Sequence, residues 1–151
     1  MFYKRSGQAL FYPPLSANQV FGGLSEYGRQ SLAPLIKAKH FAADEQIFAA
    51  GEKPSSIYIL NRGRANLVYG HRSQVPAPIC SVGSDQLFGA IEVLAEHNFE
   101  TGLTAATPCD FDVIDHRDFV AFLQVQPEVC FRVATAISSV YKDVLVLLKT
   151  K

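Results

Sequence analysis

The sequence is short of three things, and each shortage removes a class of function. No apolar run approaches the ~20 residues of a membrane span. The start, "MFYKRSGQALFYPP" (1–14), carries early charge and prolines where a signal peptide has its apolar centre. A soluble, cytoplasmic protein with no membrane contact is therefore expected. Cysteine is sparse: Cys80, Cys109 and Cys130 lie far apart with no CxxC, the pattern of small buried hydrophobes in a reducing compartment. His40, His71, His97 and His116 show neither HxH nor HxxxH spacing, so no metal site and no cofactor are expected. Finally, no Lys or Arg occurs between Arg72 and Arg117.

That last gap sits inside an overall neutral chain. Residues 1–72 hold nine bases against four acids, and residues 117–151 hold five bases against three acids. Between them, residues 73–116 carry seven acids and no base: Asp85, Glu92, Glu96, Glu100, Asp110, Asp112 and Asp115. An acidic middle in a neutral chain leaves no electrostatic footprint for nucleic acid.

What is present suits a globular core. Apolar residues make up 48 % and charged residues 19 % of the 151 positions, enough for one domain that buries roughly two-thirds of its unfolded surface. "LSEYGRQSLAPLIKAK" (24–39) reads as a packing helix with Leu24, Tyr27, Leu32, Leu35 and Ile36 near one face, interrupted by Pro34. From there to Asp115 the pattern is short strands: "SSIYIL" (55–60), "ANLVYG" (65–70), "APICSV" (77–82), "GLTAAT" (102–107) and "CDFDVID" (109–115), punctuated by glycine and proline. In the last of these, Cys109, Phe111 and Val113 alternate with Asp110 and Asp112, as in a half-buried strand. The expected class is mainly β with flanking helices, a jelly roll or double-stranded β-helix.

The remainder is helical: "HRDFVAFLQVQ" (116–126), then a helix opening at Pro127 and running to Leu148. At 1.5 Å per residue that helix is about 33 Å long, more than a small barrel needs. Cys130, Val133, Ile137, Val140, Val144 and Leu147 follow alternating steps of three and four, a coiled-coil seam. Phe131, Ala134, Ser138, Tyr141, Leu145 and Leu148 form a second stripe one residue over. One stripe can cover the barrel while the other meets a second copy, so a parallel homodimer is expected, with the first stripe named for the dimer helix and either stripe open to face the partner. The organisation expected is an N-terminal segment (1–17), a barrel domain with flanking helices (18–126) and a C-terminal dimer helix (127–151).

This order of elements resembles the cyclic nucleotide-binding domain of the Crp/Fnr regulators and of kinase regulatory subunits. The likeness is best over "FAADEQIFAAGEKPSSIYILNRGRANLVYG" (41–70), where Phe41, Ile47-Phe48, Gly51-Glu52, Ile57 to Leu60 and Gly63 repeat the family's spacing. The glycines fall where tight turns need positive φ. "FLQVQPEV" (122–129) resembles the start of the family's dimer helix.

The resemblance also implies a ligand cradle. In binding members, Phe-Gly-Glu precedes an arginine and a Ser/Thr-Ala pair; the glutamate takes the ribose hydroxyl and the arginine pairs with the cyclic phosphate. Here "FGAIEVLAEHNFETGLTAAT" (88–107) keeps Phe88 and Gly89 but has Ala90 in place of the glutamate. Ile91 and Glu92 follow, Phe99 or a neighbour falls on the arginine position, and Glu100 and Thr101 fall on the hydroxyl and alanine positions. Burying a phosphodiester charge without a partner costs several kcal/mol or more. Glu92, Glu96 and Glu100, at steps of four, would share one face of a helical turn and oppose that charge. Substitute cations would have to come from Arg64 or from Arg132 and Lys142 on the long helix.

Three functions follow. The leading one is a stand-alone, dimeric sensor or regulatory module that binds a different small effector, or none. A cyclic-nucleotide receptor with a substitute cation is the second. The third is a protein-interaction scaffold whose cradle is filled by Phe99. The family's regulators carry a helix-turn-helix after the dimer helix; none follows here up to Lys151, so no direct nucleic-acid binding is expected. No nucleophile–base arrangement supports an enzyme.

Overall fold

The computed structural model describes residues 15–69 and 77–149, with the side chains of residues 69, 77–81 and 140–149 outside the described set, among them Cys80, Val140, Tyr141, Lys142, Val144, Leu145, Leu147 and Leu148. The chain opens with strand β1 (Leu15–Ser16), helix α1 (Ala17–Phe21) and helix α2 (Glu26–Leu32). A 3-10 turn (Ala33–Leu35) leads into β2 (Ile36–Phe41), β3 (Gln46–Phe48), β4 (Ser56–Arg62), β5 (Ala65–Tyr69), β6 (Ala77–Val82) and β7 (Gln86–Phe88). Helix α3 (Ala90–Ala95), β8 (Gly102–Ala105), β9 (Cys109–Asp115), α4 (His116–Val125) and α5 (Pro127–Lys149) complete it. The strands form a five-stranded sheet ordered β1-β7-β4-β9-β2 and a four-stranded sheet ordered β3-β8-β5-β6. All their pairings are antiparallel. This is the jelly roll expected from the strand pattern.

Strand alternation builds two cores on opposite faces of the five-stranded sheet. Tyr58 and Leu60 of β4, Phe88 of β7 and Phe111 and Val113 of β9 point between the sheets with Phe48, Phe99 and Leu103. Ile57, Ile59, Leu87 and Ile114 point the other way, onto Val20, Phe119, Phe122, Leu123, Val129 and Val133 of the helices. The period-two geometry of a strand requires this split, with successive side chains on opposite faces. Gly51, Gly63 and Gly89 all have positive φ, at 87°, 102° and 97°.

Several local expectations are corrected. The helix expected over 24–39 stops at Leu32: Pro34 enters the 3-10 turn, and residues from Ile36 onward pair with β9. Proline cannot supply the N–H that a continuing helix needs, and ladder pairing then decides the strand. Tyr27 faces solvent, 71 % exposed, and so does not share the packed face of Leu24 and Leu32. Leu15 and Ser16, expected in the segment before the domain, pair with Leu87 and Gln86. Glu92, Glu96 and Glu100 do not share a helix face, because α3 ends at Ala95 and Glu96 takes a left-handed φ of 54°.

On α5 the inward face is Val129, Val133 and Ala136, with Ile137 against the same core, while Cys130 is exposed. Thus Val133 and Ile137, of the first stripe, lie on the chain's own barrel. Phe131, first of the second stripe, is 73 % exposed. Among the described residues no helix is long and apolar enough to cross a membrane.

Candidate functional site

The segment after β7 turns abruptly. Gly89 sits at φ 97° and caps α3, and its carbonyl accepts the first helical bond from the Val93 N–H at 2.9 Å. A Cβ on Gly89 would lie 2.8 Å from the Ser56 carbonyl oxygen, so glycine is required both for the dihedral and for the approach to β4. Ala90 is 2 % exposed and packs into the helical core, and Ile91 lies against the same cluster. The position where the glutamate was expected therefore holds a buried methyl group.

Helix α3 is short and closes at Glu96; beyond it the His97 N–H donates to the Glu92 carbonyl at 2.9 Å. His97 Nδ1 lies 2.7 Å from the Asn98 carbonyl oxygen, which can only accept, so Nδ1 carries the proton. Its Nε2 is 3.6 Å from Glu100 Oε2, both side chains being well exposed. Burial raises the Glu92 carboxyl above the ordinary carboxylate range; its own backbone N–H and His97 oppose this, and Glu100 adds to it.

Phe99 then re-enters the protein. Its N–H donates to the Glu52 carbonyl at 3.0 Å, and its carbonyl accepts from the Gly51 N–H at 2.7 Å. That pair of bonds fixes the side chain, which is 3 % exposed. Its ring stacks on Phe48, with centroids 3.8 Å apart and planes at 14°. Phe48 also meets Phe88 and Tyr58, at 6.4 and 5.5 Å, so Phe99 extends the aromatic core between the sheets. Phe48 is the partner that sequence reasoning missed, although its place beside Ile47 in the 41–70 stretch marked it as core. Glu100 is exposed, and Thr101 is half-buried ahead of β8.

Of the three candidate cations, Lys142 has its side chain outside the described residues, and the other two are placed differently. Arg64 follows the Gly63 turn; its backbone N–H donates to Thr107 Oγ1 at 3.0 Å, and its carbonyl accepts from the N–H groups of Ala106 and Thr107. Arg132 reaches α1: Nε donates to the Gln19 carbonyl at 2.9 Å and Nη2 to the Asn18 carbonyl at 3.0 Å. Among the described residues no group of His, Cys, Asp and Glu side chains is placed to hold a metal ion.

A glycine-turned short helix between a jelly-roll strand and a return to the sheet is the geometry of one known family, whose sequence model, for the cyclic nucleotide-binding domain, matches residues 38–126. The chain belongs to the cyclic nucleotide-binding domain family. Solved structures agree on the fold. The Thermus thermophilus catabolite activator protein superposes with a TM-score of 0.77 at 17 % identity, over 87 % of this chain and 62 % of that one. The N-terminal domain of a Streptomyces coelicolor A3(2) transcriptional regulator gives 0.70 at 20 % identity, over 84 % of this chain and 91 % of that one. The regulatory subunit of a cAMP-independent protein kinase A from Trypanosoma brucei gives 0.66 at 20 % identity, over 84 % and 47 %. A triple mutant of that subunit, which gains an arginine, is bound to cAMP in its A site. The chain thus spans less than two-thirds of the Thermus and Trypanosoma proteins. No curated protein sequence matches it.

Proposed function

We propose that this member of the cyclic nucleotide-binding domain family is a dimeric, cytoplasmic regulatory module that does not take a cyclic nucleotide in the family's manner. The observation that carries this reading is Phe99: at the arginine position of the cassette stands a buried ring stacked on Phe48. A ring in that place offers no charge to a phosphate and fills volume with the chain's own side chain. Ala90 offers no carboxylate to a ribose hydroxyl, and Glu92 and Glu100 add negative charge close to where a phosphate would sit. A family member described as cAMP-independent, whose arginine-gaining mutant is bound to cAMP, is a precedent for this kind of loss.

A buried ring in place of the cassette arginine favours an interaction module over a nucleotide receptor. Its output would then run through α5 to a second copy and from there to a protein partner. Isothermal titration with cAMP and with cGMP tests the proposal. No saturable heat is expected up to millimolar nucleotide. Micromolar binding, lost on Arg64→Ala or Arg132→Ala, would show a substitute cation at work and overturn it.

A further inference from the structure

Helix α1 has five residues, too few to be stable on its own. Its two ends are held by different parts of the molecule. At the start, β1 pairs with β7, Leu15 opposite Leu87 and Ser16 opposite Gln86. The Ser16 hydroxyl donates to Asp85 Oδ2 at 2.6 Å, and the Ala17 N–H donates to the Asp85 carbonyl at 2.8 Å. At the other end Arg132 of α5 donates to the carbonyls of Asn18 and Gln19, at 3.0 and 2.9 Å. Gly23 makes room for that guanidinium, since a Cβ there would stand 2.9 Å from Nη1. The body of α1 rides with the helical layer: Val20 is fully buried, and the Phe21 ring meets Phe119 and Phe122 at 6.5 and 6.3 Å.

We infer that β1 and α1 form a strap between the cradle and α5, and that Arg132 is the positioning residue that fastens it. Strand β7 runs directly into Gly89 and α3, so a shift of the cradle moves the residues that pair with β1. The strap either carries that shift to α5 or parts at the Arg132 bonds. Those bonds are charge-assisted but solvent-exposed, strong enough to hold α1 in register and weak enough to exchange with water. The inference deepens the regulatory reading above and rests on it, because it supplies the route by which the state of the cradle reaches the helix.

Hydrogen exchange on the full chain, purified without nucleotide, tests the strap. Three regions are followed: 17–23, the cradle at 86–92, and the central β9 amides at 109–115 as a gauge of global unfolding. In Arg132→Ala, exchange is expected to rise about tenfold at 17–23, as for loss of a charge-assisted bond. A smaller rise is expected at 86–92, with 109–115 unchanged. Gly23→Ala, which displaces the guanidinium without deleting its charge, is expected to give the same pattern should Arg132→Ala fold poorly. Acceleration confined to 17–23, or equal in all three regions, overturns the strap. The titration with nucleotides reads the cradle alone, so either result can fail while the other stands.

Discussion

Glu92 is the carboxyl of the cradle whose ionisation the fold opposes, and the sign of its effect can be worked out. Burial is the largest cause, so the folded-state value lies above the ordinary value of 4.5. The native state then keeps its proton to higher pH than the unfolded chain does. Stability from this group is full below the ordinary value and is lost as pH rises through the folded one. Glu92→Gln keeps the shape and removes the charge. Its melting temperature is expected to exceed that of the parent by a few degrees at neutral pH, and the gap is expected to close below the ordinary carboxylate value. Thermal scans from acid to neutral pH read this directly; a variant that melts lower at neutral pH would show that the carboxylate is favourable as an ion. At this scale the sequence was informative about identity and silent about contact. Counting back from Ala105, Ala106 and Thr107 places Phe99 or a neighbour on the arginine position. That its ring lies on Phe48 depends on Gly51 and Glu52 pairing with the Phe99 backbone, a contact between distant segments with no local signal.

At the scale of elements, β6 and β9 coincide with the strands read from the sequence, because β6 lies between Pro76 and Gly83 while β9 follows Pro108 and alternates apolar with acidic residues. The 24–39 segment was misread because its apolar spacing satisfies a helix while Pro34 and the pairing of β2 with β9 end one. The acids after Gly89 were misread for a related reason: a step of four implies a helix face only while the helix lasts, and α3 ends before Glu96. The cradle itself can be tested as an element by restoring the family's residues with Ala90→Glu, Phe99→Arg and Glu100→Ser together. Without ligand the variant is expected to lose about 3–5 kcal/mol, the usual cost of removing a buried phenylalanine, with the unpaired arginine adding to it. Millimolar cAMP is expected to raise its melting temperature, since a ligand that binds only the folded state stabilises it. The parent is expected to show no shift. A folded variant that ignores cAMP would mean that the missing glutamate and arginine are not what keeps nucleotide out.

At the scale of the whole molecule, the order of helix, jelly roll and long helix was legible, since it is carried by strand spacing and by two apolar stripes. The allocation of the stripes was not, because a stripe's partner depends on how α5 lies on the barrel. Val129, Val133 and Ala136 turn inward with Ile137 beside them, so two members of the stripe that begins at Cys130 cover the barrel, and Phe131 is left outward at 73 % exposure. An isolated phenylalanine on a surface needs no partner. Phe131 differs because it starts a stripe continued by Ala134 and Ser138, both exposed, on a 23-residue helix. In a parallel two-fold helix pair the same residue faces its counterpart across the axis, so burying this ring stabilises the assembly twice, by about 1.5–3 kcal/mol each time. Phe131→Glu removes that burial and sets two carboxylates against each other across the axis. Light scattering is expected to give a dimer mass for the parent and a monomer mass for the variant. The melting transition of the barrel should be retained, because Phe131 makes no part of either core. A parent that is monomeric at micromolar concentration removes the homodimer, and a variant that stays dimeric moves the interface to another face of α5.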